Sequence, residues 1–362
     1  MHLSKKLLSA AFIVSMSVGL SAAAGTARVA AQEAPESVAE GLNQPRHLSF
    51  GGDGTLYIAE AGYGGDQVAG SPSGSGDVQV GFTAQVTAVA ADGTVSVFLP
   101  EQFSMSDPFA GTEGVSAVLQ DSDYTYIVYG QGPNPDTAPD GAIFSAVVRY
   151  ETETMAVDAH WDLLAFEAEN NPDGTRDLAS NPQDVAIGAD GTIYAVDASG
   201  NALVKLGEDG VVELVTSWPV DESGQTPSPV PTSIAIAPDG TLYVSFLSGY
   251  PFLPGAARIE HLNPDGTLID AIENLTLVTD VQIGQDGDLY AVQFADGFGD
   301  TGYNQNSGSV IHIADDGTIT PILEGLNFPY GLAQADDASW RVSINAAFAA
   351  EGSGSVIVIP AM

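Results

Sequence analysis

One phrase constrains this chain more than any other. It reads "QPRHLSFGGDGTLYIAE" at 44–60, "NPQDVAIGADGTIYAVD" at 181–197, "VPTSIAIAPDGTLYVSF" at 230–246 and "LVTDVQIGQDGDLYAVQ" at 277–293. Weaker copies occupy 111–130 and 328–345. Each copy alternates apolar and polar residues, turns tightly, and enters a run rich in Tyr, Val and Ile. Period-two alternation marks β-strands. Asp-Gly supports the turn because both residues tolerate positive φ. A third strand follows each pair, usually with a fourth, as in "NALVKLGEDGVVELV" (201–215) and "SVIHIADDGTITPIL" (309–323). The unit is therefore four antiparallel strands. Its later first turns, at Asp190, Asp239, Asp286 and Asp337, lie 49, 47 and 51 residues apart. Periods of this size in a β-rich chain predict propeller blades.

Six copies are present, and the sixth ends on its third strand, "GSVIVIP" (354–360). The N-terminal "ESVAEGLNQPR" (36–46) matches "TPILEGLNFPY" (320–330), a fourth strand running into a first strand. The expected fold is an all-β, six-bladed propeller of four-stranded antiparallel blades over 32–362. Its ring is closed by an N-terminal strand that completes the last blade, which leaves no free seam. The competing arrangement is an open array or two domains. First and third turns are mostly clipped Asp-Gly turns. Most second turns are long, at 61–81, 131–141, 247–256, 294–308 and 346–353, and only "ASG" (198–200) is short. Variation is thus concentrated on one face, where long loops on a rigid scaffold carry function.

Residues 1–31 read as a secretory leader: Lys5 and Lys6, an apolar stretch, then small residues. The expected location is outside the cytoplasm, with no later membrane span. The chain has no cysteine, which excludes disulfides, thiolate metal sites and Cys nucleophiles. Lys and Arg number 9 against 47 Asp and Glu, a formal net charge of −38. Such a surface repels nucleic acid and anionic membrane and favours cations or high salt.

The link 164–184 is longer than the other blade links. Its "FEAENNPDG" followed by "SNP" resembles the ScyD/ScyE-type secreted propellers, relatives of NHL-repeat proteins. "LNQPRHLSFGGDGTLYIAEAGYGG" (42–65) and "FPYGLA" (328–333) are similar to that family too. At 183–184, where the family pattern has Tyr-Gly, this chain has Gln183-Asp184. The resemblance implies a secreted six-bladed propeller and leaves the chemistry open.

The first strands begin with aligned pairs, Arg46-His47, Glu113-Gly114, Gln183-Asp184, Thr232-Ser233, Thr279-Asp280 and Tyr330-Gly331, and one residue of each should face the channel. If the second residues do, His47, Asp184, Ser233 and Asp280 converge, and the two carboxylates are candidate Ca²⁺ ligands. If the first residues do, Arg46, Glu113 and Tyr330 ring the mouth with Gln183 and two threonines, a set that would hold metal poorly. Polar residues solvating a water-filled channel are the plain alternative. Glu60, Asp197, Phe246, Gln293 and Asn345 end second strands near the same face and extend the candidate list. In the long loops, Phe246, Tyr250 and Phe252 with Leu253 form an apolar group, and Asp296 and Asp300 lie among glycines. G-x-S-x-G, P-loop, dinucleotide and HExxH motifs are absent.

The expectation is a binding or scaffold protein acting through its long-loop face on a small molecule, an extracellular protein or a polysaccharide. The alternative is a metal-dependent hydrolase or lactonase of the SMP-30-like propeller type, with its site at the channel mouth. The Glu/Asn/Asp ligand set of those lactonases has no residue-by-residue match here. No cofactor is fixed by the sequence, and Ca²⁺ is the candidate.

Overall fold

The computed structural model describes residues 35–361 apart from 73, 75, 109, 110 and 222–225. The leader expectation at 1–31 lies outside the described residues. The fold is all-β, with 51% of residues in strands and 4% in helix.

Four sheets follow the repeat directly. The strands Pro182–Ile187, Ile193–Asp197, Ala202–Leu206 and Val212–Ser217 pair antiparallel in chain order. The sheets starting at Val115–Gln120, Pro231–Ile236 and Val278–Ile283 are built in the same way. A fifth sheet joins Leu332–Gln334, Trp340–Ile344 and Gly354–Ile359, and the N-terminal strand Ser37–Leu42 pairs antiparallel with Gly354–Ile359. The sheet starting at Pro45–Phe50 has six strands. Its third and fourth strands, Asp77–Val89 and Val95–Asp107, are long, and Gln67–Gly70 and Gly111–Glu113 pair on to them. Part of the 61–81 stretch read as loop is therefore hairpin.

The turns show why the Asp-Gly phrase recurs. In the third sheet Asp190 Oδ1 accepts the N–H of Thr192 at 3.0 Å while Gly191 takes φ +84°. Asp239 and Gly240 repeat this at 3.0 Å and +88°. The carboxylate closes an Asx-turn and glycine enters the left-handed region without penalty.

Alternate side chains of each strand pack against the neighbouring sheet. Tyr126, Val128 and Trp161 of one sheet interlock with Val185, Ala195 and Val204 of the next, all buried. The first strands neighbour one another in series. Pro45–Phe50 packs on Val115–Gln120 and Leu332–Gln334, and Pro182–Ile187 and Pro231–Ile236 pack together between them and Val278–Ile283. This is a propeller-type arrangement with the first strands innermost.

The one α-helix among the described residues, Leu163–Asn170, lies in the long link that sequence left irregular. Asp162 caps it by accepting the Ala165 N–H, and Asn171 ends it in the left-handed conformation at φ +41°.

Candidate functional site

A bulge opens five of the innermost strands. Pro182 lies opposite Asp197, but Asp184 already lies opposite Val196, so Gln183 is an extra residue. The same shift occurs at Pro231/Ser233 and Val278/Asp280. A bulge breaks the alternation of side chains across a strand. Both members of the bulged pairs at Arg46, Gln183, Thr232 and Thr279 therefore border the channel, at two levels, where the sequence reading had one or the other facing it. Toward the long loops, Arg46, Gln183, Thr232, Thr279 and Tyr330 line a cavity of about 120 Å³. Deeper lie His47, Asp184, Ser233 and Asp280, all buried. His47 and Asp184 also border a second cavity of about 560 Å³, which runs toward the Asp-Gly turns.

In one sheet the pairing needs correction. The Gly130 N–H bonds the Gly114 carbonyl at 2.8 Å, as Ala198 bonds Asn181 at 2.9 Å. Gly114 thus holds the place of Asn181, and the channel pair is Ser116-Ala117 rather than Glu113-Gly114. Glu113 reaches the upper cavity from the short strand Gly111–Glu113 instead.

The deeper group is tightly connected. Ser233 Oγ lies 2.8 Å from Asp184 Oδ2 and 2.8 Å from Asp280 Oδ1. Each carboxylate also accepts a backbone N–H from the next sheet's innermost strand: Ile234 to Asp184 at 3.0 Å and Leu332 to Asp280 at 2.7 Å. These strands expose one edge to the channel, and the carboxylates satisfy donors that would otherwise be orphaned. His47 Nδ1 stands 3.4 Å from Asp280 Oδ2, while its Nε2 is buried without a partner. Burial works against charge on His47, but Asp184 and Asp280 outweigh it and raise its pKa. Burial pushes the Asp184 carboxyl up as well; His47 pulls it down and Asp280 adds to the rise. Ligand atoms of His47, Asp184 and Asp280 all lie within 4.8 Å of one another.

The ends of the second strands do different work. Glu60 accepts the Asn43 N–H at 2.6 Å and Thr87 Oγ1 at 2.5 Å. Asp197 accepts the N–H groups of Asn181 at 2.7 Å and Gly200 at 2.9 Å. Gln293 accepts the Thr276 N–H at 2.8 Å, and Asn345 accepts Asn327 Nδ2 at 2.8 Å. These four residues fasten the incoming link to its blade and do not widen the channel group. Phe246 is fully buried, with Arg258 4.0 Å over its ring and Trp218 4.8 Å away. Tyr250 is 75% exposed, and Phe252 packs on Phe298 and Tyr303. Asp296 accepts Asn304 Nδ2 at 2.7 Å and so closes its own loop, while Asp300 is exposed at the tip of the Phe298–Tyr303 hairpin.

Two features escaped sequence reasoning. Glu167, on the link helix, is 1% exposed, and its Oε1 has no partner. Burial, with Asp173 and Asp197 nearby, pushes it up to about 8. Asp286, Asp288 and His312 form a second potential metal group, more exposed than the first. His312 Nε2 is 2.6 Å from Asp288, and Tyr290 donates to Asp286 at 2.7 Å. The visible signal was Asp288 itself, where Thr55, Thr192 and Thr241 stand in other copies.

No family model matches the chain, and no curated protein matches it in sequence. Solved structures do match in fold. Regucalcin from Agrobacterium tumefaciens strain C58, a calcium-binding protein, is 13% identical over 91% of this chain and 95% of its own, with a TM-score of 0.53. A gluconolactonase from Xanthomonas campestris is 13% identical over 89% of each chain, with a TM-score of 0.50. A streptogramin B lyase aligns over 90% of this chain and 97% of its own at 13% identity and a TM-score of 0.49. The chain has a propeller-type fold similar to that of the regucalcin and the gluconolactonase.

Proposed function

We propose that the protein is a secreted six-bladed propeller, closed by Ser37–Leu42, that holds a divalent cation at His47, Asp184 and Asp280 and hydrolyses a small ester or lactone there. The observation that carries this reading is the convergence of those three side chains within 4.8 Å in a buried site beside a cavity. The donor set fits a cation. Two carboxylates and an imidazole offer oxygen and nitrogen ligand atoms at one point, and Ser233 has only one hydroxyl proton to offer the two carboxylates. Carboxylates suit Ca²⁺ or Mn²⁺, and the imidazole extends the range to Zn²⁺. When bound, a cation supplies Lewis acidity and lowers the pKa of coordinated water.

The chain's own residues position that chemistry. The Ile234 and Leu332 N–H groups fix the two carboxylates, and Ser233 holds them together. The 560 Å³ cavity admits a small molecule, with Gln120, Gln282 and Gln334 as polar contacts and Phe50, Val185 and Ile236 as apolar ones. The names of two fold relatives, a calcium-binding protein and a gluconolactonase, support the choice of cation and substrate class. The "ENNPDG…SNP" link supports a place among ScyD/ScyE-type secreted propellers.

The experiment is hydrolysis of phenyl acetate and of a panel of sugar lactones by the metal-loaded protein, beside Asp184→Asn. Metal-dependent turnover lost in the variant supports the reading; turnover indifferent to chelation and to the variant contradicts it. A second reading, a non-catalytic binding propeller, is favoured by the aromatic array on the long-loop face.

A further inference from the structure

The long-loop face carries a continuous run of aromatic rings. Tyr250 and Phe252 from one loop meet Phe298 and Tyr303 from the next, with Phe252 5.1 Å from Tyr303. Tyr303 continues to Phe294 at 5.2 Å and to Phe348 at 5.8 Å. The outer rings are open to solvent: Tyr250 is 75% exposed, Phe348 46% and Phe298 38%. A contiguous exposed apolar surface of this kind marks a binding site. Its inner end, at Phe294, Tyr303 and Phe348, forms the wall of the 120 Å³ cavity.

The floor of that cavity is polar and holds a cation. Arg46 is 7% exposed and its guanidinium lies 4.6 Å over the Tyr330 ring. Among the described residues it donates one hydrogen bond, from Nη2 to the Thr112 carbonyl. A guanidinium has five N–H donors, so the fork keeps donors for a ligand in the cavity that it lines. Tyr330 donates its hydroxyl to Gln183 Oε1 at 2.6 Å and is not free to satisfy another acceptor. Glu113 is the acid nearby. Burial pushes it up, while Arg46, Asn181 and Gln183 pull it down.

We infer that this cavity binds an aryl carboxylate, with the carboxylate on the Arg46 fork and the ring against Tyr303 and Phe348. A planar carboxylate matches the guanidinium fork with two parallel hydrogen bonds. The volume admits a group the size of one benzene ring, and aromatic walls favour a flat one. An uncharged aromatic would leave the guanidinium without an anionic acceptor, and an aliphatic acid would leave the rings without a stacking partner. The inference is independent of the cation site below.

The test is calorimetric titration of the protein, in EDTA, with benzoate, benzyl alcohol and cyclohexanecarboxylate. EDTA removes any contribution from the channel cation, so failure here and failure of the hydrolase reading are distinguishable. One-to-one binding of benzoate, at least tenfold tighter than the alcohol and the aliphatic acid, is expected. Arg46→Met should weaken it at least tenfold. If Arg46→Met lowers the melting midpoint, Phe348→Ala, at an exposed position, serves in its place with an expected loss of at least threefold. Absence of saturable benzoate binding, equal affinity for the alcohol, or indifference to both substitutions would overturn the inference.

Discussion

Asp184 and Asp280, from innermost strands two sheets apart, meet at one hydroxyl: Ser233 Oγ lies 2.8 Å from a carboxylate oxygen of each. A single proton cannot serve both contacts. Burial raises the pKa of Asp184, and the two carboxylates raise that of His47 against the effect of its burial.

That arrangement makes Ser233 a structural linchpin as well as a neighbour of the proposed cation. Ser233→Ala strips one partner from two buried carboxylates. Urea denaturation in EDTA should show a loss of about 1–3 kcal/mol, the usual result of leaving a buried polar group unsatisfied. An unchanged midpoint would mean the carboxylates are already satisfied without the serine.

Cation binding should be pH-dependent. His47 and Asp184 both hold protons more strongly than usual in the folded state. A cation must displace those protons to reach its ligands. Affinity measured by calorimetry should therefore rise from pH 5.5 to pH 8, with net proton release detected by varying the buffer's ionisation enthalpy. Flat affinity across that window would place the cation elsewhere.

Glu167 predicts a separate effect on stability. Its folded-state pKa is about 8, against an ordinary value of 4.5. The folded chain binds this proton more tightly than the unfolded chain. Its contribution is complete below pH 4.5 and is lost as pH rises through about 8. Glu167→Gln mimics the neutral acid, so the variant should lose less stability than the parent between pH 6 and pH 9. Parallel urea midpoints for the two proteins would contradict this.

Two glycines should respond differently to alanine. At Gly240, φ is +88° and a Cβ would meet nothing within 4 Å, so the cost is conformational, about 1–2 kcal/mol. At Gly331 a Cβ would press into the backbone of Arg46 and His47. Moving two innermost strands apart should cost about 3 kcal/mol by chemical denaturation. Equal losses at the two sites would contradict the close approach of Leu332–Gln334 to Pro45–Phe50.

The sheets were legible because the same apolar alternation and Asp-Gly turn recur at a nearly fixed period. The channel residues were legible in kind but not in geometry. Gln183 and Asp184 read as alternatives because a strand points neighbours to opposite faces, and the bulge that brings both to the channel has no mark in the sequence. Glu113 was misplaced because the extra strand Gly111–Glu113 delays the start of its blade. Glu60 and Asp197 read as channel acids because they end channel-side strands. Their true partners are backbone N–H groups of the incoming links, whose path depends on the whole blade. The helix at Leu163–Asn170 was missed because it buries only Leu163 and Glu167 and so lacks an apolar stripe.

The most direct test of the central claim is a thermal melt of the protein. It would be run first in EDTA, then with Ca²⁺, Mn²⁺ or Zn²⁺ at constant ionic strength. A cation that binds only the folded state at about 100 times its Kd adds about 2.7 kcal/mol. The account predicts a rise of several degrees with one of these ions, absent in Asp184→Asn and Asp280→Asn. No rise beyond that given by matched NaCl, or a rise that survives both substitutions, would contradict it.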